Sequence, residues 1–249
     1  MMFEEATPIQ EQTIPIIKEG KDMIACAQTG TGKTAAYMLP ILDAIARNSR
    51  ESILAIILVP TRELAMQIDQ QIMGMSYYTG ATSIAIYGGG DGMGYEQQKR
   101  AIREGVNIIV ATPGRLISHL TSMKIDLSHL KHFVLDEADS MLDMGFQDDI
   151  LRIVSYLPKK KQMLLFSATM PMKIRSFARK ILQEPVEVNI AISKPSEGID
   201  QRVYLAYDQQ KMELLKNILK DPNYVSVNIF ASQKTTVKLL AQELQKQGI

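Results

Sequence analysis

The sequence predicts an α/β protein built on an open parallel sheet with helices on both faces, and three observations point there. Six short apolar runs, each the length of a strand, recur through the first 166 residues. Longer stretches with helical spacing of apolar residues separate them, and every run gives way to a polar or glycine-bearing segment. Near-continuous apolar strands are what a parallel sheet requires, because both of its faces are covered and its strands are joined by helical crossovers.

The first run, Asp22–Cys26, passes through Ala27-Gln28-Thr29-Gly30-Thr31-Gly32-Lys33-Thr34 into a helix over Thr34–Ala46. The second, Leu54–Val59, ends in Pro60-Thr61-Arg62-Glu63 and leads to a helix over Arg62–Met75. Ser83–Tyr87 ends in Gly88-Gly89, part of a stretch with five glycines in seven residues, before a helix over Tyr95–Arg103. Asn107–Ala111 ends in Thr112-Pro113-Gly114-Arg115 and a helix over Arg115–Met123. His132–Leu135 ends in Asp136-Glu137-Ala138-Asp139, and Met163–Phe166 in Ser167-Ala168-Thr169 ahead of a helix over Met172–Leu182. In an open parallel sheet the carboxyl ends of the strands share one edge, where ligands bind, so six separate segments converge on one surface.

The segment after the first run has the strand-to-helix setting of a phosphate-binding loop. Gly30 and Gly32 let the backbone wrap a polyphosphate, and amides at the helix start point at its oxygens. Lys33 adds a cation for the outer phosphates, and Thr34 offers a hydroxyl to magnesium. Ala27 stands where the general pattern has glycine. Asp136 and Glu137 place two carboxylates at a strand end: Asp136 to order a magnesium shell, Glu137 to position and deprotonate the water that attacks a terminal phosphate. Taken alone, the pair also reads as the solvated acidic start of a helix, with Asp139 as a cap.

Bulk properties are those of an ordinary globular chain, with 46% hydrophobic and 22% charged residues. A formal net charge of +1 supplies no global basic field, so any nucleic acid would be held by local arginines and backbone amides. The single cysteine, Cys26, excludes an internal disulfide framework and fits a reducing compartment. No run approaches the ~20 apolar residues of a membrane helix, and a cytoplasmic location is expected. His119, His129 and His132 lack metal-ligand spacing, and Lys159-Lys160-Lys161 reads as a solvated loop.

Taken in order, Thr7-Pro8-Ile9-Gln10, Ala27–Thr34, Pro60-Thr61-Arg62-Glu63-Leu64-Ala65, Thr112-Pro113-Gly114-Arg115, Asp136-Glu137-Ala138-Asp139 and Ser167-Ala168-Thr169 resemble the motif series of the DEAD-box RNA helicases, over essentially the whole chain. The resemblance implies a RecA-like, P-loop NTPase sheet that binds ATP or ADP with Mg2+, and a parent protein that hydrolyses ATP to open short RNA duplexes. It assigns Thr7, Gln10 and the 27–34 loop to ATP, with the Gln10 carboxamide reading adenine. Phe3 fits the family's aromatic ahead of this motif and would stack on the base. A further aromatic that the family has upstream is absent, so a few native amino-terminal residues are expected to be missing.

The RNA side would comprise Pro60, Thr61, Arg62, Gly88, Gly89, Thr112, Pro113, Gly114 and Arg115, touching sugar and phosphate without regard to base. Without the resemblance, the Thr-Pro-Gly and Gly-Gly segments read as turns and the two arginines as helix-start residues in surface pairs. Ser167 and Thr169 would couple the two sides, their hydroxyls bonding Asp139. A helicase-like ATPase acting on DNA and a catalytically silent RNA-binding scaffold are the alternative readings; Gln10 and the 136–139 tetrad argue against the first, Lys33, Asp136 and Glu137 against the second.

Breakers at Ser193–Gly198 mark a linker. The organisation expected is a nucleotide-binding domain over 1–192, a linker over 193–199, and over 200–249 the opening of a second RecA-like domain whose remainder the chain lacks. That opening should alternate strand, helix, strand, helix over Gln201–Tyr207, Gln209–Leu219, Val225–Ala231 and Lys234–Gln247. A piece of ~50 residues cannot bury a core, so self-association through it is one expectation, and slow ATP turnover by the chain alone is another.

Overall fold

A computed structural model of the chain describes residues 5–47, 52–89, 92–190, 200 and 202–246, with the backbone alone at 92 and 93. They form two compact units, Met1–Ser193 and Lys194–Ile249. The Ser193–Gly198 linker and Phe3 lie outside the described residues.

The first unit opens with helix α1 (Pro8–Lys18), strand β1 (Met23–Cys26), α2 (Lys33–Ala46), β2 (Ala55–Leu58) and α3 (Arg62–Met75). It continues through β3 (Ser83–Ile86), α4 (Gly92–Glu104), β4 (Ile108–Ala111), α5 (Pro113–Ser122) and β5 (His132–Leu135). The helices α6 (Ala138–Asp143) and α7 (Gln147–Tyr156), strand β6 (Gln162–Ser167), α8 (Met172–Ile181) and strand β7 (Val186–Asn189) complete it. All six apolar runs are strands of one sheet, ordered β3-β4-β2-β5-β6-β1-β7, with every pairing parallel.

Alternation along the strands divides the core in two. Met23, Ala25, Ile57, Val110, Val134 and Phe166 pack with α1, α2 and α3 on one face. Ile24, Ile56, Ile109, Phe133 and Leu165 pack with α5 to α8 on the other. A sheet with both faces buried has no solvent side on which to carry polar groups, so β2 (AIIL) and β4 (IIVA) are wholly apolar and wholly buried. The edge opposite the site is locked by two polar residues. The Asp22 carboxylate accepts from the amides of Met163 (2.7 Å) and Gln183 (2.8 Å). The Gln162 amide donates to the carbonyls of Ile17 (3.0 Å) and Lys21 (2.6 Å) while its oxygen meets His132 Nδ1 at 2.9 Å.

Three elements went unanticipated, α1, α7 and β7, while α6 is the short helix that the acidic segment 136–139 also allowed. The edge strand β7 (VEVN) has one buried position in four, so it lacks the apolar run that marks its neighbours. Helix α1 starts with Pro8 at its first position after Thr7, and Gln10 Oε1 accepts from the Thr7 amide at 3.1 Å.

The second unit contains a 3₁₀ turn (Asp208–Gln210) and the helices α9 (Lys211–Ile218) and α10 (Lys234–Gln245). The strands expected over Gln201–Tyr207 and Val225–Ala231 do not form: residues 202–207 and 225–231 pair with nothing in a sheet, and Gln201 lies outside the described residues. A strand is stable only with a ladder partner, and none of the other described residues of this unit supplies one. Their apolar side chains consequently stand in solvent, with Leu205 at 100% and Phe230 at 94% exposure.

Native-state hydrogen exchange should follow this division. Amides of Ile57, Val110 and Val134 should be the slowest in the chain, and those of 203–206 and 226–230 should exchange at close to unprotected rates. Protection of the latter comparable to the sheet would show that they pair after all.

Candidate functional site

The register carries the site. Leu58 pairs with both Ala111 and Leu135, and Ile86 with Ala111, so β2 to β5 stop together; Cys26 and Ser167 pair two residues beyond the Leu135–Leu165 level, and the segments that follow these strands share one rim.

At the end of β1 the loop 27–32 turns through two left-handed glycines, Gly30 (φ +83°) and Gly32 (φ +90°). Gly32 is fixed by space as well as by backbone: a Cβ there would lie 2.5 Å from Gln10 Nε2 and 3.2 Å from Thr7 Oγ1. The Gln10 amide donates to the Gly32 carbonyl at 3.2 Å, holding α1 against the loop. Thr7 Oγ1, buried beside it, has no hydrogen-bond partner within 3.5 Å among the described residues. Helix α2 begins with no side-chain cap and no acid in its first turn, leaving its amides open to an anion. The buried Lys33 ammonium donates to the Ala27 carbonyl at 2.8 Å and keeps further donors for a ligand.

Facing the loop, the buried Asp136 carboxylate is held at both oxygens. Tyr37, on α2, donates its hydroxyl to Oδ2 at 2.9 Å, and the Glu137 amide donates to Oδ1 at 2.9 Å. Burial pushes the Asp136 carboxyl above its ordinary value; the Tyr37 hydroxyl and the Lys33 charge pull the other way. Burial and the neighbouring Asp136 together push the Tyr37 phenol well up, so it stays a donor. Glu137 adopts a left-handed backbone (φ 51°, ψ 50°) as the cap of α6, a conformation that a non-glycine residue holds only at a cost of order 1 kcal/mol. Loop, Lys33, Thr34, Asp136 and Glu137 line a cavity of about 570 Å³, together with Leu64, Gln67, Gln71 and Met75 from α3, which sequence reasoning did not select.

Asp139 joins this centre to β6. Its Oδ2 accepts from both the amide and the hydroxyl of Thr169 at 2.9 Å. Ser167 takes a different partner, donating to the Thr169 carbonyl at 2.7 Å.

The other flank of the rim carries the arginines. Thr61 caps α3 through the Leu64 amide (3.2 Å), Pro60 is buried, and Arg62 lies 4.9 Å over the Tyr87 ring. Gly88, Thr112, Gly114 and Arg115 border a shallow depression of about 390 Å³, while Pro113 starts α5 as a buried residue. Gly89 turns left-handed at φ +90°. Arg115 Nε donates to the Tyr87 carbonyl at 3.1 Å. Residues Tyr37 and Tyr87 were missed because an aromatic inside an apolar run reads as core, and Tyr95 because a lone aromatic in a polar helix carries no signal.

His119, given no chemistry from sequence, is fully buried, 3.0 Å by Nε2 from Gln98 Oε1 and stacked on Tyr95. Burial, then the charges of Arg115 and Lys99, lower its pKa from 6.5 to about 4.

These features meet a family. The family model for DEAD/DEAH box helicases matches residues 7–177, and the chain belongs to that family. It is 39% identical, over its whole length and 47% of the relative's, to an ATP-dependent RNA helicase CshA of Listeria monocytogenes. It is 44% identical, over 87% of its length and 43% of the relative's, to the DEAD-box ATP-dependent RNA helicase RhpA of Helicobacter pylori. The chain thus spans about half the length of the curated relatives it matches. Among solved structures it resembles a DEAD box protein of Methanococcus jannaschii, with 35% identity and a TM-score of 0.69 over 99% of this chain and 66% of that one. A hypothetical ATP-dependent RNA helicase of Sulfolobus tokodaii gives 36% and 0.68 over 76% and 54%. The first unit is therefore a RecA-like domain.

Replacing Tyr37 by Phe removes one oxygen and leaves Asp136 Oδ2 without its buried donor, which should lower unfolding free energy in urea by about 1–3 kcal/mol. An unchanged midpoint and slope would show that the hydroxyl holds nothing. The depressed His119 pKa sets a pH slope. The neutral imidazole contributes stability that is fully present above 6.5 and is lost as pH falls from 6.5 toward 4, where the folded form also protonates. Thermal midpoints should drop across that window, and His119→Gln should flatten the drop.

Proposed function

We propose that this chain is the ATP-binding half of an RNA-dependent ATPase that opens short RNA duplexes, working on RNA through its sugar-phosphate backbone. The observation that carries the reading is the single rim on which the loop cavity with Lys33, Asp136 and Glu137 and the arginine flank sit side by side, joined by the Asp139–Thr169 bonds.

ATP suits the cavity chemically. Its phosphates would take the open amides of α2 and the Lys33 ammonium, exchanging the Ala27 carbonyl for phosphate oxygen. The Gln10 carboxamide retains one N–H and one lone pair beyond its bonds to Gly32 and Thr7, which suits the donor–acceptor edge of adenine and favours ATP over GTP. Thr34 and Asp136 are the residues that would hold magnesium, a hard cation that takes oxygen donors; when bound it neutralises charge on the outer phosphates. The donor set fits, since Asp136 is a buried carboxylate already fixed at both oxygens. Glu137 would orient the attacking water and accept its proton.

Arg62, Arg115, Thr61, Thr112 and the Gly88-Gly89 and Gly114 backbone would hold phosphates and 2′-hydroxyls, giving RNA preference without sequence specificity. Asp139 and Thr169 would transmit nucleotide state to that flank. By family likeness the remaining charge on the transferring phosphate is met by a second RecA-like domain, so this chain alone should turn over slowly. The exposed apolar residues of 203–207 and 225–230 suit burial by the further strands of such a domain, or by a second copy of the chain.

In the full-length protein, Glu137→Gln should lower RNA-stimulated ATP hydrolysis by about 10²–10⁴-fold while leaving ATP affinity within a few fold. ATP should outcompete GTP, and RNA should stimulate where DNA of the same length does not. Full activity in the variant would favour a silent RNA-binding scaffold, and equal stimulation by DNA would favour a DNA-acting ATPase.

A further inference from the structure

Arg62 and Arg115 differ from the ion-paired surface arginines of the first unit in what they touch. Arg47 pairs with Asp43 at 2.9 Å, Arg100 with Glu104 at 2.6 Å and Arg175 with Glu187 at 2.9 Å. Among the described residues neither Arg62 nor Arg115 has a carboxylate partner; both lie against tyrosine rings instead. All three cation–ring contacts of the described residues fall in this one patch, the third being Lys99 over Tyr95 at 5.1 Å.

The contacts close into a ring. Arg115 Nε donates to the Tyr87 carbonyl at 3.1 Å, and the same oxygen accepts from Gln98 Nε2 at 3.4 Å. Gln98 turns its oxygen to His119 Nε2 at 3.0 Å, which makes that nitrogen the imidazole donor. His119 stacks on Tyr95, with centroids 4.4 Å apart and planes 13° apart, and the Tyr95 hydroxyl is tied to Ser122 Oγ at 2.5 Å. The Arg115 guanidinium lies 5.1 Å from the centre of the Tyr95 ring, returning to the start. Arg62 rests on Tyr87, the residue whose carbonyl anchors Arg115, so the two guanidiniums share one support. Gln98 and His119 are buried, so their polar atoms have been withdrawn from water to make this arrangement.

We propose that Tyr87, Tyr95, Gln98 and His119 form a collar of positioning residues that sets the place of the Arg62 and Arg115 guanidiniums on the rim before nucleic acid arrives; this rests on the reading of that flank as the RNA side. A long cationic side chain free in water loses rotamer freedom when it grips a phosphate, and an aromatic shelf removes much of that loss in advance. A tyrosine ring serves this purpose where a carboxylate would not, because it holds the guanidinium without neutralising the charge that the phosphate needs. The buried imidazole adds no competing positive charge beside Arg115 while it stays neutral.

The test is RNA affinity of the full-length protein with a non-hydrolysable ATP analogue and single-stranded RNA, measured across a salt series. Tyr95→Leu should weaken binding about three- to tenfold without changing the slope of log affinity against log salt, since no charge is removed. Arg115→Ala should weaken binding and reduce that slope by about one. The double variant should bind no more weakly than Arg115→Ala, and Tyr95→Phe should recover the loss seen with leucine. If Arg115→Ala binds as the unmodified protein does, the RNA reading of the flank fails. If Arg115→Ala weakens binding while Tyr95→Leu does not, or if the two losses add, the collar is overturned and the RNA reading stands. Should Tyr95→Leu fail to fold, seen as lost affinity for the ATP analogue, the same cycle on Tyr87→Leu against Arg62→Ala decides the matter.

Discussion

Parallel pairing of short strands, with helices packed on both faces, is the constraint from which the site follows. A strand such as Ala55–Leu58, buried at every position, has no place for a polar side chain along its length. Polar groups are therefore confined to strand ends, and because Leu58, Ile86, Ala111 and Leu135 stop in common register, with Cys26 and Ser167 two residues further on, those ends lie on one rim. The opposite edge uses its polar residues differently. Asp22 and Gln162 direct their hydrogen bonds to backbone amides and carbonyls of neighbouring elements, which fixes the frame.

On the rim, each functional group is held by one that belongs to another element. Gln10 of α1 fixes the carbonyl of Gly32, Tyr37 of α2 fixes the carboxylate of Asp136, and Thr169 beyond β6 fixes the carboxylate of Asp139. Asp136 and Asp139 lie three residues apart, one just before the cap of the short helix α6 and the other in its first turn. Cys26 extends the connection to β1 through the Ala168 carbonyl at 3.5 Å. A change at the loop thus has a continuous path of bonded groups to the segment after β6.

The sheet was legible because each of the six runs, β3 at the edge included, is nearly pure in apolar residues. Strand β7 was not, since Glu187 and Asn189 occupy two of its four positions and break the apolar run that β3, the other edge strand, keeps. The second unit misled in the opposite direction. Val203, Leu205, Val225 and Phe230 have strand-like spacing, but spacing records what a segment would pair with, and the partners are not among the described residues. At the site, the charged and glycine residues were legible from the segments that contain them. The aromatic supports were not: Tyr37 reads as one more buried residue of an apolar helix, and its hydroxyl finds Asp136, 99 residues away, only once the sheet has formed. His119 shows the same limit, because nothing in its neighbours announces that Gln98 and Tyr95 will close around it.

A net charge of +1 raises the question of how such a surface could hold a polyanion at all. Some of its surface cations are matched with acids at helical spacing, as Lys99 is with Glu96 and Arg100 with Glu104, and such pairs contribute little field beyond their own neighbourhood. Arg62 and Arg115 escape that cancellation because their partners are rings. Attraction would then be local to the rim and short in range, so RNA would be held where the nucleotide-linked Asp139–Thr169 junction can act on it, with little sliding over the rest of the surface.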